Sequence, residues 1–268
     1  MVFKGAHFLH ELAVFTSKLA YSGVFALFLL ASIMLSHYFY PRDAVLPRYD
    51  FLFIVAVCFQ VFLVWKKLET IPEVIVIMVF HVLAMIMEWF KTQDAIGSWF
   101  YPEAFYLGVG KVPLFAGFMY SAVGSAIARG MRVFRMELIQ PPNLIWMGLL
   151  SALIYLNFFT HHYILNLRWV LLALAVVSYW RTQIRFVLVE FERSVSIIWA
   201  FAWVAVCLWL AENIATYAQV WLYPIQKDGW QLVDWDRMVA WYLLIQLSFA
   251  LVYGLTLCKK KKKKKVGT

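Results

Sequence analysis

Apolar residues fall along this chain in blocks of about 13 to 22, close to the roughly 20 residues that cross a hydrocarbon core of about 30 Å at 1.5 Å per residue. A backbone in lipid must satisfy its own hydrogen bonds, so such blocks predict spanning helices. They are expected near 19–39, 51–65, 72–90, 112–128, 143–160, 167–180, 194–214 and 238–257. The second and sixth are short, which makes seven spans the rival count. The first block is longer than a signal-peptide core and lacks a small-residue cleavage site, so it is expected to stay as a helix. The predicted fold class is therefore all-α: a polytopic transmembrane helical bundle of about eight spans.

Basic residues orient the bundle, because Lys and Arg accumulate in cytoplasmic loops. With eight spans, Lys4, Lys18, Lys66, Lys67, Arg129, Arg132, Arg135, Arg181, Arg185, Arg193 and the run Lys259 to Lys265 share one side, seventeen of the 24 basic residues. Both termini are then cytoplasmic, in an inner (plasma) membrane. Composition agrees with this reading: 64% of the 268 residues are apolar and 15% are charged. A soluble domain has roughly 45 to 50% and 25%. Seven of the nine net positive charges lie in the lysine run, which suits anionic headgroups or a stop-transfer anchor and makes no case for nucleic acid. Cys58, Cys207 and Cys258 form no CxxC pair and read as apolar filler, with no disulfide framework.

A near-duplication organises the chain. Glu88 closes one apolar block and is followed by Thr92 and Trp99-Phe100-Tyr101-Pro102; Glu212 closes another and is followed by Thr216 and Trp221-Leu222-Tyr223-Pro224. The recurrence after the third and seventh spans predicts two parallel four-helix repeats, residues 1–141 and 142–258, followed by a lysine-rich tail, 259–268. The seam falls at Gln140-Pro141-Pro142, where two prolines break helix. Parallel repeats are related by an axis along the membrane normal.

The polar residues gather on the side away from the cytoplasm. Arg48 and Asp50 lie in the first loop. Glu88, Lys91, Trp99, Tyr101 and Glu103 follow the third span, Asn157, His161 and His162 the fifth, and Glu212, Asn213 and Tyr223 the seventh. Ionisable residues at membrane depth cost about 2.5 to 3.5 kcal/mol on insertion scales and usually face the bundle interior. His81 and Glu88, seven apart, share a helical face. Desolvation disfavours a charged carboxylate there, which suits Glu88 to a general acid, with Glu212, His81 and His161 as helpers. The plainer alternative is that the glutamates hydrogen-bond neighbouring helices. Arg48, Asp50, Lys91, Trp99, Tyr101, Glu103, Asn157, His162, Asn213 and Tyr223 are the candidates for substrate binding. Gly117, Gly124 and Gly130 favour close helix packing. His81, Glu88 and His161 or His162 have the ligand types of a metal site but no tight motif, so no metal is assigned. No Walker A, HExxH or GxSxG sequence occurs, the seventh span has no lysine for retinal, and the histidines make no clear haem pair.

The stretches LPRYD (46–50), GSWFYPE (97–103), VPLFAGFMY (112–120), IYLNFFTHH (154–162) and AENIAT (211–216) resemble the bacterial integral membrane proteins catalogued as domain of unknown function 817. That resemblance implies a fold family and no activity or cofactor. A looser one, covering Glu88, Gly97, Trp99 to Tyr101 and Val112-Pro113, is to the membrane carotenoid hydratases. It implies a carboxyl group that protonates a polyene or isoprenoid double bond. The leading expectation is an intramembrane enzyme acting on a lipophilic, isoprenoid-like substrate. Against it stand a transporter or receptor binding a small solute or cation between the repeats, and a scaffold without a ligand. Membrane lipids are the expected surroundings.

Overall fold

The computed structural model describes the backbone of residues 2–189 and 191–266 and the side chains of 9–189 and 191–257. The side chains of the lysine run and of Cys258 lie outside the described residues. Nine α-helices make up most of the described chain: α1 (Val2–Ser22), α2 (Val24–Phe39), α3 (Arg48–Trp65), α4 (Ile71–Lys91), α5 (Phe115–Val133), α6 (Leu144–Thr160), α7 (Arg168–Tyr179), α8 (Ile197–Tyr217) and α9 (Arg237–Val266).

Four of these helices are long and apolar enough to cross a membrane: α3, α4, α8 and the Arg237–Leu257 part of α9. A fifth candidate is the pair Leu9–Ser22 and Val24–Phe39, which meet at 71°. That is fewer than the eight expected from the apolar blocks. The block at 19–39 is not one straight helix, because the chain turns at Gly23 between α1 and α2. α6 and α7 are apolar but have only 17 and 12 residues. α5 fails on composition, and its position explains why. It packs against α1, α2, α3, α4 and α9, so its surface meets protein and can carry Ser121, Ser125 and Arg129 buried.

The helices are inside-out relative to those of a water-soluble bundle. On α4 the outward stripe is Ile75, Met78, Val82, Ile86 and Trp89. Glu88 and Lys91 point inward with Ile77, Phe80, Ala84 and Met87. Small residues on α5 let α4 approach closely: a Cβ at Gly117 would lie 2.5 Å from the His81 ring, and one at Gly124 would lie 2.8 Å from Phe80. A capping box of Thr70 and Glu73 starts α4.

Strands are present too, so the all-α expectation is corrected. β1 (Gly108–Val109) and β2 (Val112–Pro113) form a short hairpin ahead of α5. β3 (Glu137–Ile139), β4 (Gln183–Leu188) and β5 (Phe191–Ser196) form an antiparallel sheet in the order β3-β4-β5. The sequence offered a basic loop around Arg185 and Arg193; alternation in Gln183–Leu188, with Ile184 and Leu188 buried, makes it a hairpin. The sheet sits at the end of the bundle where α5 and α7 finish and α8 starts, and Lys18 of α1 donates to the Val187 carbonyl across it.

α2 packs on α3 and α5, and α6 packs on α7 and α9; α4 lies along α5, and α8 lies along α9. α2 touches α8, α4 touches α6, and α5 meets α9. The loops after α4 and α8 meet as well: Phe100 and Leu222 exchange backbone N–H to carbonyl bonds of 2.9 Å in both directions.

Candidate functional site

Helix α4 ends one turn past Glu88 and helix α8 one turn past Glu212, and both carboxyl groups are almost fully buried, at 2% and 4% exposure. A buried carboxylate needs donors. The two Trp-x-Tyr-Pro segments and the helices that follow supply them. Trp99 Nε1 donates to Glu88 Oε2 at 2.6 Å, Tyr101 Oη to the same oxygen at 2.8 Å, and Tyr120 Oη of α5 to Oε1 at 2.7 Å. Glu212 receives Tyr223 Oη on Oε1 at 2.5 Å and Trp241 Nε1 of α9 on Oε2 at 2.7 Å.

The two networks interlock. Trp99 meets the Tyr223 ring edge-on at 6.2 Å, and the Tyr120 and Trp241 rings are 6.3 Å apart. Each acid's aromatic partners therefore pack on the other's. Burial first, then the neighbouring carboxyl group, holds the phenols of Tyr101 and Tyr223 well above their ordinary range, so both remain donors at neutral pH. The Arg237 guanidinium lies 4.3 Å over the Tyr223 ring.

Beside these networks a narrow cleft runs between α4, α5, α6, α8 and α9, its wall almost wholly apolar. Leu83, Ala84, Met87, Tyr155 and Leu208 contribute to it, as do Tyr120 and Trp241. The residues that donate to Glu88 and Glu212 from the helices are thus also the cleft's inner wall.

Lys91, His161 and His162 form a neighbouring cluster. Lys91 is 3% exposed and its Nζ lies 2.8 Å from His162 Nε2 and 3.3 Å from His161 Nε2. His161 Nδ1 bonds the Asn157 carbonyl at 2.7 Å. A carbonyl can only accept, so Nδ1 carries the hydrogen and Nε2 offers its lone pair to the ammonium group. Burial and the Lys91 charge hold both imidazoles below their ordinary range, and His162 is further lowered by His161. The fold therefore binds their neutral forms. Below the ordinary imidazole value of about 6.5 the unfolded chain takes up protons that the folded one refuses, so stability falls as pH falls. Lowering pH from 7 to 5 should lower the thermal midpoint in detergent, and the drop should be smaller in a His161→Gln/His162→Gln protein. An equal drop in both would show that these rings do not carry it.

The other residues singled out in the sequence have structural partners. Arg48 pairs with Glu103 at 2.8 Å and donates to the Ala218 carbonyl at 2.9 Å, which ties the start of α3 to both loops. Asp50 accepts the backbone N–H groups of Tyr106 and Leu107. Asn157 accepts from Leu167 N, and Asn213 bridges Trp209 O to Val233 N. His81 stands apart from the acid networks, its ring against Gly117 and 4.8 Å from Phe118. Among the described residues no three His, Cys, Asp or Glu side chains gather as metal ligands.

A second buried polar group went unread in the sequence. Arg129, 0% exposed, donates at 2.6 Å to Glu69, 3% exposed, which also accepts from Ser125 and Gln60. It lies at the end of α4 and α5 opposite Glu88. In the sequence both charges look like loop residues, sixty positions apart, and nothing local links them.

The family model described as "Protein of unknown function (DUF817)" matches residues 11–249. The uncharacterized protein YoaT of Bacillus subtilis (strain 168) is 38% identical over 215 residues, covering 80% of this chain and 81% of that protein. No solved structure matches. Nothing in these comparisons supports the looser resemblance to carotenoid hydratases.

Proposed function

The chain belongs to the DUF817 family, and for it we propose a multi-pass membrane protein that admits a lipophilic molecule to the cleft and exchanges a proton with it through Tyr120 and Glu88. One observation carries the reading: Tyr120 lines the apolar cleft and its hydroxyl is bonded to a buried carboxyl group at 2.7 Å. With a proton on Oε1 this bond reverses. Glu88 then donates to the phenol oxygen, and the phenol O–H is free to turn into the cleft. Glu212 and Trp241 brace the opposite wall. Every carboxylate oxygen of the pair already accepts an aromatic donor. This argues against the other reading, a cation held between Glu88 and Glu212.

The topology proposed with it has α2 to α9 as eight membrane helices in two parallel repeats, with both termini cytoplasmic. The basic residues Lys66, Lys67 and Arg135 just past helix ends, Arg132 in the last turn of α5, and Arg185 and Arg193 in the sheet lie opposite the Trp-x-Tyr-Pro loops, which supports that orientation. The recurring helix contacts and the Phe100–Leu222 pairing between the two loops support the repeat.

Native mass spectrometry of protein purified in mild detergent tests the reading. The wild type should retain a lipophilic adduct, and Leu83→Trp, which fills the cleft, should lose it. Glu88→Gln and Tyr120→Phe should retain the molecule in an unconverted form, distinguishable by chromatography from what the wild type holds. An adduct unaffected by Leu83→Trp would sink the binding site, and identical molecules in wild type and Glu88→Gln would sink the proton step.

A further inference from the structure

Among the described residues, Oε1 of Gln246 on α9 and three atoms of helices α3 to α5 are buried polar atoms without a hydrogen-bond partner; the three are Oε1 of Gln60, Nδ1 of His81 and Nε of Arg129. Such orphans cost about 1 to 3 kcal/mol each, so a site that keeps them is one where water or a transferred proton completes them. Their placement is ordered. Gly117, Ser121, Ser125 and Arg129 recur every four residues, along one side of α5. The His81 ring sits on Gly117, and Ser121 Oγ bonds the Gly117 and Ile77 carbonyls at 2.8 and 3.1 Å. Ser125 Oγ bonds Glu69, which holds Arg129 and Gln60. In the other direction Glu88 lies seven residues beyond His81 on α4, about 10 Å by helix rise.

The second half acts as an internal control. Aligning Glu212 with Glu88 puts Ala205 at the place of His81. Aligning Trp241 with Tyr120, the two helix residues that donate to the acids, puts Met238, Tyr242, Gln246 and Ala250 at the places of Gly117, Ser121, Ser125 and Arg129. Helices α8 and α9 pack together with a single buried amide, Gln246, where the file would run, its Oε1 also unpartnered, so this packing mode does not require His81, the two serines or the buried ion pair. Those residues need another reason to be there.

We propose that the α4–α5 interface carries a hydrated proton path from the Glu69–Arg129 pair, through Ser125, Ser121 and His81, to Glu88. Steps of four residues, about 6 Å, are spanned by one water each, and the longer step from His81 to Glu88 by a short chain of them. A proton reaching Glu69 neutralises it and loosens Arg129. Water held by the serine hydroxyls delivers a proton to Nδ1 of His81, whose imidazolium releases its Nε2 proton toward Glu88. Glu69 gives its proton up to the serine-held water, and His81, left with its hydrogen on Nδ1, regains its starting tautomer by a half-turn of the ring, so no oxidant or co-reactant is needed. Lys91 and His162, one turn past Glu88, stand at the far end. The path deepens the proposed function, because it resupplies the Glu88 proton from the side of the bundle away from the Trp-x-Tyr-Pro loops.

Protein reconstituted into vesicles with pyranine inside, under a potassium diffusion potential set by valinomycin, reads the path without any lipophilic ligand. The wild type should acidify the interior faster than protein-free vesicles do. His81→Phe and Ser121→Ala should fall to the protein-free rate, while Tyr242→Phe in the second half should match the wild type. Ser121→Ala removes a single oxygen and decides the matter should His81→Phe fail to fold. Wild-type vesicles no faster than empty ones, or both file variants as fast as wild type, would overturn the path. The cleft adduct in the mass spectrum is read separately, so loss of flux with the adduct retained, or the reverse, shows which proposal has failed.

Discussion

Arg129→Met is expected to cost about 3 to 5 kcal/mol of stability, the range for breaking one partner of a buried ion pair. Arg129 is fully buried and is the only charged donor among the Glu69 contacts described above. Removing it leaves an ionised carboxylate with two neutral donors, Ser125 and Gln60, and without its counter-charge. The methionine stem replaces most of the lost packing, so the effect isolates the charge. The double variant Arg129→Met/Glu69→Gln should regain most of the loss, because a neutral amide needs no counter-charge there. Unfolding in mixed micelles measures both. A single variant as stable as the wild type would mean that the carboxylate needs no counter-charge there.

Glu88→Ala should be the next most damaging change and should exceed Glu212→Ala. The first leaves three donors without an acceptor, Trp99, Tyr101 and Tyr120, and the second leaves two, Tyr223 and Trp241. Each buried orphan costs about 1 to 3 kcal/mol, so the difference between the variants is about one such loss. Glu88→Gln keeps a carbonyl oxygen for Trp99 and Tyr101 and lets its amide donate to the Tyr120 oxygen, so it should fold nearly as well as the wild type. This is why it serves as the functional probe. Trp99 lies against Tyr223, so its emission should shift in Glu88→Ala and change little in Glu88→Gln. Equal stability of the two alanine variants would show that these donors find water instead.

The glutamates were legible because a charge at the end of an apolar block is expensive, and the repeated Trp-x-Tyr-Pro marked both at once. Their neighbourhood was legible only in outline. The sequence placed Trp99, Tyr101 and Tyr223 beside the acids, but it gave no sign that Tyr120 and Trp241, from the next helices, close the networks. Arg48, Asp50 and Glu103 were read from the sequence as binding candidates in loops of one side. Their partners are one another and loop backbone, a distinction that residue type cannot make. Lys91 was named with His162 as a candidate, but that two imidazole lone pairs hold its ammonium group depends on where α6 ends relative to α4.

Apolar block length determined from sequence alone that the chain is a bundle of membrane-type helices, since hydrocarbon depth and helix rise fix that relation locally. Direction and partnership were decided by the tertiary structure. A continuous apolar run from 19 to 39 carries no record of the 71° turn at Gly23. The modest hydropathy of α5 reflects neighbours that shield it on many sides. The Glu69–Arg129 pair exists because α4 and α5 bring distant residues together. Lipid tests each helix separately for its apolar surface, whereas a buried charge is tolerated only where another segment of the chain supplies its counterpart.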